Sequence, residues 1–331
     1  MSTCTPEPVS RSAKRALGRA GNWGSSGFPM VEEVPSGVRR GPFAAGERIT
    51  LSDRMGRRHS IVLTVGAQFH TAKGPVDHDD LIGRPEGVVV TSARGADYLA
   101  MRPLLSDFTV TMPRGAAVVY PKDAALIVMG ADIFPGATVL EAGAGSGALS
   151  CALLRAVGGT GRLISYERRE DFASIARRNV ENFFGQPHPA WDLRVGDLVA
   201  SLVDQPIEAG TVDRVILDML APWECVPAVG DVLIPGGVLC CYVATTTQLA
   251  ETIETLRAHT GFTEPEATES LVRSWHVEGL AVRPGHAMVG HTGFLIMTRR
   301  MAPGVAAPLR KRRPAPGAYG ENYSGPRIRP S

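Results

Sequence analysis

From about residue 120 onward the apolar positions fall into short runs, at 138–143, 162–167, 191–197, 213–218 and 238–244. Runs of that length, bounded by Gly, Asp and Pro, read as buried strands. Between them the apolar residues recur at helical spacing, which predicts helices over 147–156, 170–184, 223–233 and 246–260. Thr245-Thr-Thr marks the start of the last helix and Gly261 its end, and Pro235-Gly-Gly reads as the turn closing the fourth crossover. Such alternation predicts an α/β domain with a mostly parallel sheet covered on both faces. Two last runs, about 270–283 and 292–299, are expected to pair antiparallel at its edge.

The pattern differs upstream. Runs at 47–51, 60–65, 88–92, 98–102 and 108–111, broken by turn residues, predict a small all-β domain, and Tyr120-Pro-Lys-Asp then reads as a helix start. Residues 1–40 and 303–331 carry no periodicity and read as disordered basic arms. The expected organisation is therefore an arm (1–40), a β domain (41–120), an α/β domain (121–302) and a tail (303–331).

Charge sharpens this division. The chain of 331 residues has a formal charge of +2, but residues 1–40 hold six Lys/Arg against three Glu, and residues 301–331 hold six against one. The stretch between is net acidic, so any polyanion must be met by local patches, by the arms or by several subunits together. Five cysteines lack C-x-x-C spacing, which fits small core residues in a reducing cytosol. No signal peptide or membrane span is apparent, and a cytoplasmic protein is expected. The histidine pairs His70/His78 and His286/His291 lack metal-site spacing, so no metal is expected and His70 and His291 read as hydrogen-bonded structural groups.

The densest chemical signal is Val139-Leu-Glu141-Ala-Gly143-Ala144-Gly145-Ser146-Gly147-Ala148: a strand, then a turn bare enough for a ligand to approach the backbone. The looser dinucleotide pattern also fits, so NAD must be weighed against S-adenosylmethionine. Glu141 before the glycines favours the sulfonium donor over a pyrophosphate. Three further acids end successive runs: Glu167, Asp197 and Asp218. In a parallel sheet such ends converge on one crevice. Glu167 lies at the spacing for ribose hydroxyls, Asp197 suits the adenine amine, and Asp218 would face the methyl.

These residues resemble the bacterial tRNA (adenine-N1)-methyltransferases of the TrmI type. The likeness covers roughly 41–302 and rests on Gly66-Ala-Gln-Phe-His-Thr-Ala-Lys-Gly, Tyr120-Pro-Lys-Asp-Ala, the glycine motif, Asp218-Met-Leu-Ala-Pro-Trp and Gly290-His-Thr-Gly-Phe-Leu. It implies a class I (Rossmann-like) methyltransferase domain with a small N-terminal β domain, S-adenosylmethionine as donor, tRNA adenine 58 as acceptor and a homotetramer. By resemblance, Ala144 to Gly147 meet the donor's amino-acid part, Glu167 its ribose, and Phe172 and Asp197 its adenine. Asp218 meets the target base and Tyr120 is an active-site tyrosine. Lys122 is expected to meet a phosphate near the extruded base. Three other readings compete: the same donor with another acceptor, a non-catalytic RNA-binding subunit, and an NAD oxidoreductase.

Overall fold

The structure is a computed structural model and describes residues 36–37, 39–115, 117–305 and 307–308. Expectations for 1–35 and 309–331, including Cys4 and most of both arms, lie outside the described residues.

The N-terminal part is antiparallel. β1 (Arg48–Ser52), β2 (Arg58–Val62), β3 (Gln68–Thr71), β4 (Gly74–Asp77), β5 (Val88–Thr91) and β6 (Asp97–Met101) form a four-stranded sheet in the order β2-β1-β6-β5 and a β3-β4 hairpin. Alternation in β1 buries Ile49 and Leu51 against Phe43, Leu63, Val90 and Tyr98, a core separate from the rest. One expected strand is wrong. Residues 108–111 belong to α1 (Leu105–Thr111), because Asp107 accepts from the Leu104 N–H at 3.3 Å and Phe108 packs 5.1 Å from Phe183. Tertiary burial overrides the β preference of Thr-Val-Thr.

The second part follows as α2 (Pro121–Gly130), β7 (Thr138–Ala142), α3 (Ala148–Val157), β8 (Arg162–Glu167), α4 (Glu170–Phe184), β9 (Trp191–Val195), α5 (Leu198–Asp204) and β10 (Val212–Asp218). A 3₁₀ turn (Pro222–Cys225) then leads into α6 (Val226–Val232), β11 (Leu233–Val243), α7 (Thr246–His259), β12 (Glu266–Glu269), β13 (Trp275–Glu278), β14 (Ala281–Pro284) and β15 (Phe294–Arg299). Seven strands lie in the order β12-β15-β11-β10-β7-β8-β9; β15 runs antiparallel to β11, and β12 antiparallel to β15.

Apolar layers cover both faces. Val139, Leu163 and Ile216 face α1 to α4, while Leu140, Ile164 and Leu217 face α5 to α7. α7 begins as its sequence signal implies: the Thr245 hydroxyl accepts from Gln248 N at 3.2 Å and the Gln248 side chain accepts from Thr245 N at 3.0 Å. The residue in the left-handed conformation at its end is Thr260, φ 55°, one position before the expected Gly261.

Three further expectations are corrected. Pro235-Gly-Gly is no inter-element turn but a bulge inside β11, between the pairs Val212–Leu233 and Arg214–Val238. A side chain at Gly237 would stand 2.9 Å from the Asp213 carbonyl. The helix expected over 223–233 splits into the 3₁₀ turn and α6. The partner of β15 from the C-terminal runs is β12, whereas 275–284 folds on itself as the β13-β14 hairpin. α5, absent from the sequence reading, is capped by Asp197, which accepts from Ala200 N at 3.0 Å.

Candidate active site

Strand parity gathers the acids. Glu141, Glu167 and Asp218 share alternation with Val139, Leu163 and Ile216, so all three project toward the α1–α4 side of the sheet. β7 lies between β8 and β10, and its glycine turn comes off level with their ends: Gly143 N donates to Asp218 O and Ala144 N to Tyr166 O, both at 3.0 Å. A Cβ on Gly143 would stand 3.2 Å from Glu167 Oε2 and 3.6 Å from the Asp218 carbonyl. A side chain at 143 would therefore press on the Glu167 carboxylate.

The turn has two halves. Gly145, φ 56°, has open space where a side chain would be, while Ser146, Gly147 and Ala148 are buried. A Cβ on Gly147 would press within 3.2 Å of the Ala176 backbone, and the Ser146 carbonyl accepts from Asn179 Nδ2 at 2.8 Å. Gly143 and Gly145 are thus the half-exposed members of the turn, Ala144 is buried between them, and 146–148 fasten the turn to α4.

Each acid is held differently. Glu167 accepts from Gly145 N at 2.8 Å and Arg169 N at 3.0 Å, closing the turn onto the end of β8. The Asp218 carboxylate makes no hydrogen bond or ion pair among the described residues; burial, then the Glu167 charge, raises its pKa to about 7. Glu141 departs from expectation. It lies one register level deeper than Asp218, opposite Ile216, is wholly buried, and accepts from Ser150 Oγ at 2.7 Å and Ser165 Oγ at 2.5 Å. Its Oε1 has no partner, and burial raises its pKa to about 7, with the Asp218 and Glu167 charges adding to the rise.

Asp197 caps α5 and takes the Arg168 guanidinium at 2.7 Å, which together with the Ala200 N–H lower its pKa. Phe172, on the first turn of α4, lies under the Arg169 guanidinium at 3.6 Å and against Gly115. Tyr120 is the residue before α2 and is 38% exposed. Lys122 contradicts its expected role. Its ammonium turns inward to Asp123 Oδ1 at 2.7 Å, Ser270 O and Oγ at 2.8 Å and Thr292 Oγ1 at 2.6 Å, which uses all three protons.

Residues 97–284 match the family described as the tRNA methyltransferase complex GCD14 subunit, and 41–90 match the TrmI-like N-terminal family. The chain is 35% identical to the tRNA (adenine(58)-N(1))-methyltransferase TrmI of Thermus thermophilus, over 76% of this chain and 96% of that one. This chain belongs to the TrmI family of tRNA (adenine-58-N1)-methyltransferases. It is also 31% identical to the Methanocaldococcus jannaschii tRNA (adenine(57)-N(1)/adenine(58)-N(1))-methyltransferase TrmI, over 75% of this chain and 93% of that one. The crystal structure of tRNA (m1A58) methyltransferase TrmI from Aquifex aeolicus shares the fold, with a TM-score of 0.69, 24% identity, and coverage of 79% of this chain and 99% of that one.

This TrmI-family chain holds one feature beside Asp218 that the sequence pattern did not signal. Tyr242, in register with Asp218 across β10 and β11, donates to the Thr292 carbonyl at 2.8 Å. Burial, and then the nearby Asp123 and Asp218 charges, push its phenol up. His291 bonds Glu269 Oε1 at 2.6 Å and the Ala244 carbonyl at 2.8 Å, as a structural histidine would, whereas His70 is exposed and makes no such bond. Among the described residues no cluster could hold a metal, and no helix is long and apolar enough to cross a membrane.

Proposed function

We propose that this chain transfers the methyl group of S-adenosylmethionine to N1 of adenine 58 in the T-loop of tRNA, with Asp218 as the residue that meets the base. The observation that carries this reading is the Asp218 carboxylate itself, half-buried at the end of β10 with no side-chain hydrogen bond among the described residues, and with its pKa raised by desolvation to about 7. A carboxylate so placed gains most when a cation arrives.

The crevice fits the donor. Gly143 and Gly145 leave the approach to the turn unblocked, and the Glu167 carboxylate stands beside them where a ribose would lie. In this reading Gly143, Ala144 and Gly145 face the donor's amino-acid part, Ser146, Gly147 and Ala148 fix the turn, and Phe172 and Asp197 border the adenine. Asp197 enters with one carboxylate oxygen already on Arg168. The bound donor supplies a methyl group on a positively charged sulfur.

Adenine N1 carries an in-plane lone pair and needs no base to deprotonate it. As that lone pair forms the new N–C bond, the S–C electrons return to sulfur and positive charge spreads over the purine to the N6 amine. Asp218, accepting from N6, stabilises that charge in a site shielded from water and orients N1 toward the methyl. N1 sits on the Watson–Crick edge, so the base must leave its stack, and Tyr120 offers an exposed ring to receive it.

We also assign 41–120 and 121–302 as the two domains; the separate core formed between Phe43 and Ala100 supports the division, while Phe108, Met112, Val118 and Val119 pack into the α/β core and draw its edge upstream of residue 120. A homotetramer acting in the cytoplasm completes the reading. Its support is the apolar row Leu271, Trp275, Val277, Leu280 and Val282 on and beside the β13-β14 hairpin, each more than half exposed. Light scattering of the purified protein tests the assembly. The activity is tested by incubating full-length protein with labelled donor and unmodified tRNA and mapping the product. 1-Methyladenosine at position 58 is expected; label in protein, in a small molecule or in another nucleoside overturns the assignment.

A further inference from the structure

We propose that Lys122, Asp123, Ser270 and Thr292 form a positioning latch that sets Tyr120 for the acceptor base, a role that rests on the reading of Tyr120 given above. The start of α2 lacks the usual local cap. An acid at the third helical position commonly reaches back to the residue before the helix, yet no side chain caps this start. Asp123 instead spends its carboxylate across the fold. Oδ1 accepts from Lys122 Nζ and Ser270 Oγ, each at 2.7 Å, and Oδ2 accepts from Thr292 Oγ1 at 2.6 Å.

This closes a network. Asp123 is 1% exposed, and Ser270 and Thr292 each accept from Lys122 while donating to Asp123. Every proton of Lys122 and both oxygens of Asp123 are engaged, so loss of the Thr292 hydroxyl leaves the buried Asp123 Oδ2 without its donor. The network also ties down the two roots of the arm that carries the β13-β14 hairpin. Ser270 is one root; the other is Thr292, whose carbonyl is held by Tyr242, with Gly293 so close to the Tyr242 ring that a Cβ would stand 2.4 Å from it. Tyr242 is in register with Asp218. The latch thus fastens the turn bearing Tyr120 to the strand beside the one that ends in Asp218.

A two-residue kinetic cycle tests this. Single-turnover methylation of tRNA is measured for the wild type, Thr292→Val, Thr292→Ser, Tyr120→Ala and the Thr292→Val/Tyr120→Ala double variant, with donor affinity as control. Thr292→Val is expected to slow methylation about tenfold with donor Kd unchanged, and Thr292→Ser to restore the rate, because it keeps the hydroxyl. In the Tyr120→Ala background the valine is expected to cost less than about twofold, because its effect runs through the tyrosine. Equal losses in both backgrounds, or a serine variant as slow as the valine one, overturn the latch. Should Thr292→Val fail to fold, Lys122→Met replaces it in the same cycle with the same expectations. If Tyr120→Ala alone leaves the rate intact, the reading of Tyr120 falls; multiplicative losses reject the latch alone.

Discussion

Glu167 and Asp218 end the two strands that flank β7, on the same face of one sheet, yet they are prepared for opposite tasks. Glu167 already accepts two backbone N–H groups and braces the glycine turn. The Asp218 carboxylate has no partner among the described residues, and burial raises its pKa to about 7. In the proposed reading the donor side of the crevice is assembled before any ligand arrives, and the acceptor side holds an unpaired carboxylate whose charge becomes favourable once positive charge forms beside it. Equivalent positions in a fold therefore need not carry equivalent chemistry, and hydrogen bonding separates them.

The comparison breaks most readily at Asp218. Asp218→Ala is expected to lower the single-turnover rate on tRNA by about 10²–10³ while leaving donor affinity within a few-fold. Glu167→Gln should do the reverse, weakening donor binding by about tenfold with little change in rate at saturating donor. If both variants damage the same step equally, the division of tasks is wrong.

Acid pH sharpens the contrast. Asp218 acts as a carboxylate, so kcat/KM is expected to fall about tenfold for each pH unit below about 7 and to level off above it. In Asp218→Asn that limb disappears. A smaller effect appears in stability. The folded-state pKa of Asp218 lies above its unfolded value, so ionisation opposes folding, with the full cost present above about 7 and gone below about 4. Asp218→Asn should therefore raise Tm by about 2–4 °C at pH 8, a gain that shrinks toward zero on acidification. An unchanged melting curve would mean that the carboxylate is not desolvated.

Much of this site was readable before the fold. An apolar run closing on an acid marks a strand end, and in a parallel sheet the ends must share one rim, so Glu167, Asp197 and Asp218 could be placed from pattern alone. The register depth of Glu141 could not. A strand apolar on both faces hides how far along it each residue sits relative to its neighbours, and only the pairing with Ile216 shows that Glu141 lies a layer beneath. Lys122 was misread for a related reason. Besides the adjacent Asp123, its partners stand 148 and 170 positions away, and nothing local signals that its ammonium turns inward. The Asp197 cap was visible as an acid before an apolar run, yet α5 is only seven residues long, too short for its periodicity to show.

The most direct test of the account is a cycle between enzyme and substrate. Single-turnover rates of the wild type and Asp218→Asn are compared on tRNA with adenine at position 58 and on the same tRNA with purine there, which keeps N1 but lacks the N6 amine. On adenine the two enzymes should differ by about a hundredfold. On purine the ratio should collapse to within about threefold, since the carboxylate has lost the group it holds. A ratio that stays near a hundred on purine would contradict the contact between Asp218 and the N6 amine.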